Sequence, residues 1–415
     1  MKKIKIEKPS VVAQSNTEPI LWGGYQDPHI LCDNGVIYVR FNGRRDCPET
    51  MGYEDKNPVF LSRDMGKTWK KSDHRSWILA HPKLPNGDRL IMREHKIIKN
   101  PENLPEFPIN REKTKSAKKA SIAFGLAYKA DELEKEYGES VAKVFLAERI
   151  KAGETEPVEE YCKVKWKNMP VHYNNDYLWR VIPTCKYKID SENVIWMPVY
   201  GGSISDDGTM NSKRLCTHLL RSDDYGHTWE YVSTVIYKEE YNSPDATDFV
   251  EGFDETALEI LDDGSIIMIM RSGSMYPRFK ETDPTNYPIP KCYFAKSTDN
   301  GKTWSEVKPF YDYGIRPGSV KLGDGVIIMI AGRPGVYVRA TYDKNAEIWE
   351  DPIKVVAVPE DKKYDAYYEY TCCNADICAY DDKTAFITYS NFQMTDSENK
   401  RAKTILVSKI TVENI

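Results

Sequence analysis

Four side chains in the carboxyl half of this 415-residue chain have types and spacings that could do chemistry together. Glu255 lies at the start of the segment DETALEILDDGSIIMIMR, which closes on Arg271, and GSVKLGDGVIIMIAGRPG supplies Arg333 62 residues further on. YDAYYEY then contributes Tyr368. A guanidinium pairs with a carboxylate through two parallel, charge-assisted hydrogen bonds in a planar fork, so two spaced arginines could hold an acidic ligand. A tyrosine hydroxyl, with a reference pKa of about 10, is a weak nucleophile at neutral pH and needs a carboxylate beside it to take its proton.

A second set of polar residues recurs at fixed offsets. SRDMGKTW spans residues 62–69, and the same Ser, Asp, Gly, Thr and Trp return in RSDDYGHTW ending at Trp229 and KSTDNGKTW ending at Trp304. A fourth stretch, VRATYDKNAEIW, keeps the Asp and the Trp but has lost the Gly and gained a residue. An Asp carboxylate can accept from the amides of its own turn, Gly supplies a positive φ, and Trp can fold its ring over the hairpin as a cap. The box is therefore expected to be a folding device, and Asp64 is not counted as catalytic.

These residues sit among repeated β units. A tight-turn signal followed by an apolar strand occurs six times, in DNGVIYVRF, NGDRLIMRE, SENVIWMPVY, DDGSIIMIMR, GDGVIIMIAGR and DDKTAFITYS. Asp-Gly and Asn-Gly ahead of β-branched residues are hairpin signals. Six units that cannot bury their own faces pack best radially, so the sequence predicts an all-β, six-bladed β-propeller forming one domain over residues 1–415. Residues 114–160 depart from the pattern: ADELEKEYGESVAKVFLAERIKAG has helical spacing and strong helix formers, which predicts a helical insertion in the second blade. The amino-terminal IKIEKPSVVA is expected to pair with the last blade.

The boxes, the blade count and the order Glu255, Arg271, Arg333, Tyr368 resemble the sialidase superfamily over nearly the whole chain outside the insertion. The resemblance implies that Arg271 and Arg333 hold a substrate carboxylate and that Glu255 takes the proton of a nucleophilic Tyr368, the arrangement by which sialidases replace the usual second carboxylate. It also exposes departures. Where sialidases open their first blade with an Arg-Ile-Pro motif this chain has GGYQDPHILCDNGVIYV, so Gln26 stands in place of the arginine. The acid expected to support that arginine shortly after the tyrosine has no evident counterpart, since TAFITYSNF contains none. RVIPT opens the third blade instead and makes Arg180 a further candidate for substrate binding. Asp55, competing with Asp46 and Glu54, falls roughly where sialidases place their proton donor. QDPHI additionally resembles the Asp-Pro segment of arabinanase and xylosidase-type glycosidases, which makes Asp27 a candidate general base with Glu255 as acid; the plainer reading is that Asp27 caps a turn before Pro28.

Composition narrows the partners. The 58 Lys and Arg against 63 Asp and Glu give a net charge of −5 without a basic stripe, which argues against nucleic acid. MKKIKIEKPSVV has no apolar run after its basic residues and no window reaches the length of a membrane span, so the sequence reads as soluble and cytoplasmic. Nine cysteines without a CxxC read as reduced, buried thiols. HExxH, the P-loop, GxGxxG and GxSxG are absent and the seven histidines lack ligand spacing, so neither metal nor cofactor is implied. The expected partner is a small-molecule or oligosaccharide substrate, with a homo-oligomer left open. Two functions follow: an exo-acting glycoside hydrolase for an acidic or modified sugar, or a glycan-binding propeller that has kept the scaffold without the chemistry.

Overall fold

The structure, a computed structural model, describes residues 2–414 apart from 16–24, 43–56, 94–95, 100–126, 139–142, 175–176, 184–185, 206–211, 213, 242–249, 275–290, 313, 334 and 358–373. The chain begins with β1 (Lys2–Ile6) and β2 (Ser10–Gln14), then β3 (Gln26–Asp33), β4 (Val36–Asn42), β5 (Val59–Ser62), β6 (Lys70–Ser72) and a short helix α1 (His74–Leu79). Next come β7 (Arg89–Met92), β8 (Lys96–Lys99), β9 (Ala127–Lys129), helix α2 (Ala130–Tyr137), β10 (Val144–Ile150), β11 (Val158–Lys165), β12 (Pro170–Asn174) and β13 (Tyr177–Trp179). They are followed by β14 (Ile182–Pro183), β15 (Lys188–Ile189), β16 (Ile195–Gly201), β17 (Cys216–Ser222), β18 (Thr228–Val235), β19 (Val250–Ile260), β20 (Ile266–Ser274), β21 (Lys291–Ser297) and β22 (Lys308–Tyr311). The chain ends with β23 (Ile315–Lys321), β24 (Ile327–Gly332), β25 (Val336–Thr341), β26 (Ile353–Val356), β27 (Ala375–Asp381), β28 (Thr384–Asn391) and β29 (Thr404–Asn414).

Two compact units divide these strands. The first comprises Met1–Pro82, Leu261–Asp263 and Tyr311–Ile415. It holds the sheets β3-β4-β5-β6 and β23-β24-β25-β26, together with β1-β29-β28-β27, to which β2 adds by also pairing with β29. The amino-terminal strands thus complete the last sheet, as the sequence suggested. Ile328, Ile330, Val338, Ile377, Ile387 and Ile410 pack its larger core. The second unit, Lys83–Ile260 and Gly264–Phe310, holds β19-β20-β21-β22, β8-β13-β12-β9 and an eight-stranded sheet ordered β14-β16-β17-β18-β11-β10-β7 with β15 on β16. The six turn-strand signals all lead into strands, and Asn34 and Gly35 take φ of 48° and 75° at the β3–β4 turn. Among the described residues no helix is long and apolar enough to cross a membrane.

The predicted helical insertion is corrected in part. Among the described residues of this stretch a helix forms over Ala130–Tyr137, whereas Val144–Ile150 is a strand paired with β7 and β11. Its Arg149, 3 % exposed, explains the choice. As part of a strand it reaches Glu160 on the neighbouring β11, Asp88 at 3.3 Å and the Tyr225 carbonyl at 3.0 Å. A buried guanidinium is tolerated only with such partners, and tertiary pairing overrides local propensity. The eight-stranded sheet likewise departs from uniform four-stranded blades, because β11 runs parallel to β18 with Val164 opposite Trp229.

The boxes fold as their residues dictate. Ser62 Oγ donates to Asp64 Oδ1 at 2.7 Å, and that oxygen also accepts the N–H groups of Lys67 and Thr68 at 3.1 and 3.0 Å. The network returns around Asp224 and Asp299. The Thr303 hydroxyl and amide hold the Asp299 carboxyl down to about 2. Gly226 and Gly301 have φ of 85° and 74°, and a Cβ on either would lie 2.3 Å from Leu90 or 2.2 Å from Leu219, so both backbone and space require glycine. The indoles reach beyond their own hairpins: Trp69 Nε1 donates to Ser10 Oγ on β2 at 3.0 Å, and Trp304 Nε1 to Ser233 Oγ on β18 at 2.8 Å. Trp229 is fully buried.

Candidate functional site

In the first unit the polar cluster is built on two bulges. Gln26 pairs with Asn42 and His29 with Arg40, so Asp27 and Pro28 oppose a single residue of β4. Ile315 pairs with Gly332 and Gly318 with Ile330, which places Arg316 and Pro317 on the same kind of bulge in β23. Pro lacks the N–H that a regular ladder needs, so it belongs where pairing is interrupted. Asp27 and Arg316 have φ of 46° and 45°. A left-handed non-Gly residue is held by its surroundings at a cost of about 1–3 kcal/mol, and such residues gather at functional sites.

The two bulges meet through their side chains. Arg316 Nη1 donates to Asp27 Oδ1 at 2.8 Å, and Asn42 Nδ2 donates to Oδ2 at 2.9 Å, so both carboxylate oxygens are engaged as acceptors. Arg316 Nη2 lies 2.7 Å from His29 Nε2. A guanidinium only donates, so that nitrogen is the acceptor and the imidazole proton is assigned to Nδ1. Asp376 Oδ2 lies 4.0 Å from Nδ1 and accepts the Ile30 amide at 3.0 Å. Trp77 of α1 sets its ring against His29, centroids 6.3 Å apart, and beneath the Arg40 guanidinium at 5.5 Å. Asp27 keeps a quarter of its side chain exposed, and Arg316 about a fifth. This carboxylate is oriented by a cation yet open to solvent.

The second unit has its own carboxylate bulge. Asp254 pairs with Arg271 and Thr256 with Met270, which leaves Glu255 as the extra residue of β19. Arg271 Nη1 donates to Glu255 Oε2 at 2.7 Å, and its Nε stands 3.6 Å from Asp254 Oδ1. Arg271 thus spans two carboxylates instead of standing ready for a substrate anion, because the bulge re-aims Glu255 toward its own cross-strand neighbour. Cys292, opposite Arg271 on β21, has its thiol pushed up to about 12 by burial.

The remaining sequence candidates are placed as follows. Gln26 is 3 % exposed, and its Nε2 has no hydrogen-bond partner among the described residues. Arg333, 8 % exposed with φ 58°, occupies the β24–β25 turn and donates its amide to the Gly335 carbonyl at 2.8 Å. Arg180 precedes β14, and burial lowers its guanidinium to about 10. Asp55 and Tyr368 lie outside the described residues. Arg316, His29, Asn42, Asp254 and Asp376 were not singled out by sequence. Arg316 had a signal, since the Arg-Pro of GIRPGS repeats the Asp-Pro of YQDPHI. Asp376 supplies an acid soon after Tyr368, on the strand before the TAFITYSNF segment in which none was found.

Among the described residues no group of three or more His, Cys, Asp or Glu is gathered that could hold a metal ion. The BNR/Asp-box repeat model matches residues 295–306, the third box. No curated protein matches the chain by sequence. A Dyadobacter fermentans protein of unknown function superimposes with a TM-score of 0.55 at 16 % identity, covering 99 % of each chain. A point mutant of the NanB sialidase from Streptococcus pneumoniae superimposes with a TM-score of 0.50 at 12 % identity, over 97 % of this chain and 70 % of that one. At these identities the likeness is one of fold. The chain carries an Asp-box repeat, and its fold is similar to that of a sialidase.

Proposed function

We propose that this chain, on a six-bladed scaffold, is an exo-acting glycoside hydrolase for an acidic or otherwise modified sugar. The observation that carries the reading is Asp27, a carboxylate on a left-handed bulge with one oxygen held by Arg316 and the other by Asn42. Such a group is oriented in advance to accept a proton, which is the work of a general base. In the second unit Glu255 is presented in a comparable way by Arg271. Arg333 is the arginine assigned to a substrate carboxylate in this reading.

Screening aryl glycosides, sialosides and glucuronides with the purified protein tests it. Turnover that Asp27→Asn abolishes while leaving the melting temperature unchanged supports the assignment. Turnover indifferent to Asp27→Asn removes Asp27 from it. The second reading, a glycan-binding propeller without chemistry, is favoured by Gln26 in the arginine position and by the engagement of Arg271 and Arg316 with carboxylates. Calorimetric binding of a sugar acid with no turnover of any glycoside would establish that reading.

A further inference from the structure

We infer that Cys32 and Cys378 form an oxidisable thiol pair whose disulfide would tie β3 to β27 within the first unit. Their Sγ atoms stand 2.7 Å apart although 346 residues separate them in the chain. A disulfide needs the sulfurs at about 2.05 Å, so a small approach suffices. The strands on which they ride are already fastened on both sides of the sulfurs. The Ile30 amide donates to Asp376 Oδ2 at 3.0 Å on one side, and the Tyr380 hydroxyl donates to the Gly35 carbonyl at 3.4 Å on the other. Both are free cysteines in the structure, in keeping with the sequence-based expectation of reduced thiols, although Cys32 is only partly buried.

The surroundings make the reaction selective. Cys32 is only partly buried and can be reached by a small oxidant, whereas its partner Cys378 is buried, as are three other thiols, Cys162, Cys216 and Cys292. Burial pushes those three thiols up to about 12, 11 and 12, and a thiol kept protonated is a poor nucleophile. With a low-molecular-weight disulfide such as oxidised glutathione as the two-electron oxidant, the Cys32 thiolate attacks one glutathione sulfur and expels the first glutathione thiolate. The Cys378 thiolate then attacks the Cys32 sulfur of this mixed disulfide and expels the second. One protein S–S bond replaces one glutathione S–S bond, and the two protons leave with two molecules of reduced glutathione. A cross-link enclosing so long a loop restricts the unfolded chain strongly. It would also fix the strands that carry Asp27, His29 and Asp376.

The test starts from fully reduced protein, exposed to oxidised glutathione, quenched by alkylation and digested without reductant. The expected result is one peptide pair joining Cys32 to Cys378, two hydrogens lighter than the separate thiols, and a melting temperature higher by about 4 °C that dithiothreitol reverses. Cys32→Ser and Cys378→Ser should neither form the link nor show the rise, with their reduced melting temperatures close to that of the reduced wild type. The wild-type peptide map decides the matter even if a serine variant folds poorly. Separate alkylation of Cys32 and Cys378 after oxidation, stable glutathione adducts on both, or linkage of either to Cys372 or Cys373 would overturn the inference.

Discussion

Asp27 and Glu255 occupy equivalent positions, each on a bulge in the first strand of a four-stranded sheet and each gripped by an arginine, but they obtain that arginine in opposite ways. Glu255 takes Arg271 from the next strand of its own sheet, 16 residues along the chain. Asp27 takes Arg316 from another sheet, 289 residues away. The first arrangement forms with the hairpin itself. The second exists only once two sheets have packed. The boxes show the same contrast on a smaller scale: their carboxylates are satisfied within five residues, while Trp69 and Trp304 donate to serines 59 and 71 residues away.

The largest expected effect tests whether local and remote assembly serve the same chemistry. Asp27→Asn and Glu255→Gln should each lower kcat/KM by about 10³-fold on whichever glycoside is turned over, the usual scale for a lost proton-transfer group. If only one of them matters, the two bulges are alike in geometry alone. Steady-state kinetics alongside melting curves separate this from misfolding.

Next in size is the indole buried without exposure. Trp229→Ala should cost about 4 kcal/mol, and Trp304→Ala, partly exposed but bonded to Ser233, about 3 kcal/mol. Denaturant titration measures both. A Trp304 variant that kept its stability would show that its remote hydrogen bond contributes nothing to holding β18.

The arginines should reverse the order between stability and activity. Arg271→Ala removes the guanidinium 3.6 Å from the buried Asp254 and should destabilise by about 3 kcal/mol, whereas Arg316→Ala removes that beside the quarter-exposed Asp27 and should cost about 1 kcal/mol. Turnover should nonetheless fall with Arg316→Ala, because the orientation of Asp27 is lost. Equal melting curves for the two variants would show that burial of Asp254 does not set the difference.

The smallest effect belongs to a purely local network. Asp299 is held at about 2 by Thr303 and Ser297, below an ordinary carboxylate value of about 3.9. A depressed value means that its contribution is present above the unfolded-state value and is lost as pH falls through about 4 toward 2. Asp299→Asn should therefore melt slightly below the wild type at pH 6, with the gap closing near pH 2. A gap that persisted at pH 2 would mean that the charge of Asp299 is not what the turn uses.

Much of the molecule was legible in the sequence because its signals act over a few residues. The six turn-strand units, the left-handed Asn34-Gly35 turn and the three boxes follow from Asp, Asn and Gly chemistry inside single hairpins. Glu255 and Arg271 could be chosen together because one hairpin joins them. Only the tertiary structure decided that Val144–Ile150 is a strand, since the carboxylates that pay for burying Arg149 come from Asp88 and Glu160 on elements beside it. It likewise decided that Arg316 grips Asp27, that Asp376 backs His29 and Ile30, and that Cys32 meets Cys378. Turn chemistry is settled by neighbours along the chain, whereas the partner of a buried charge or thiol is whichever group the packing of distant strands delivers, and no local pattern in the sequence records that choice.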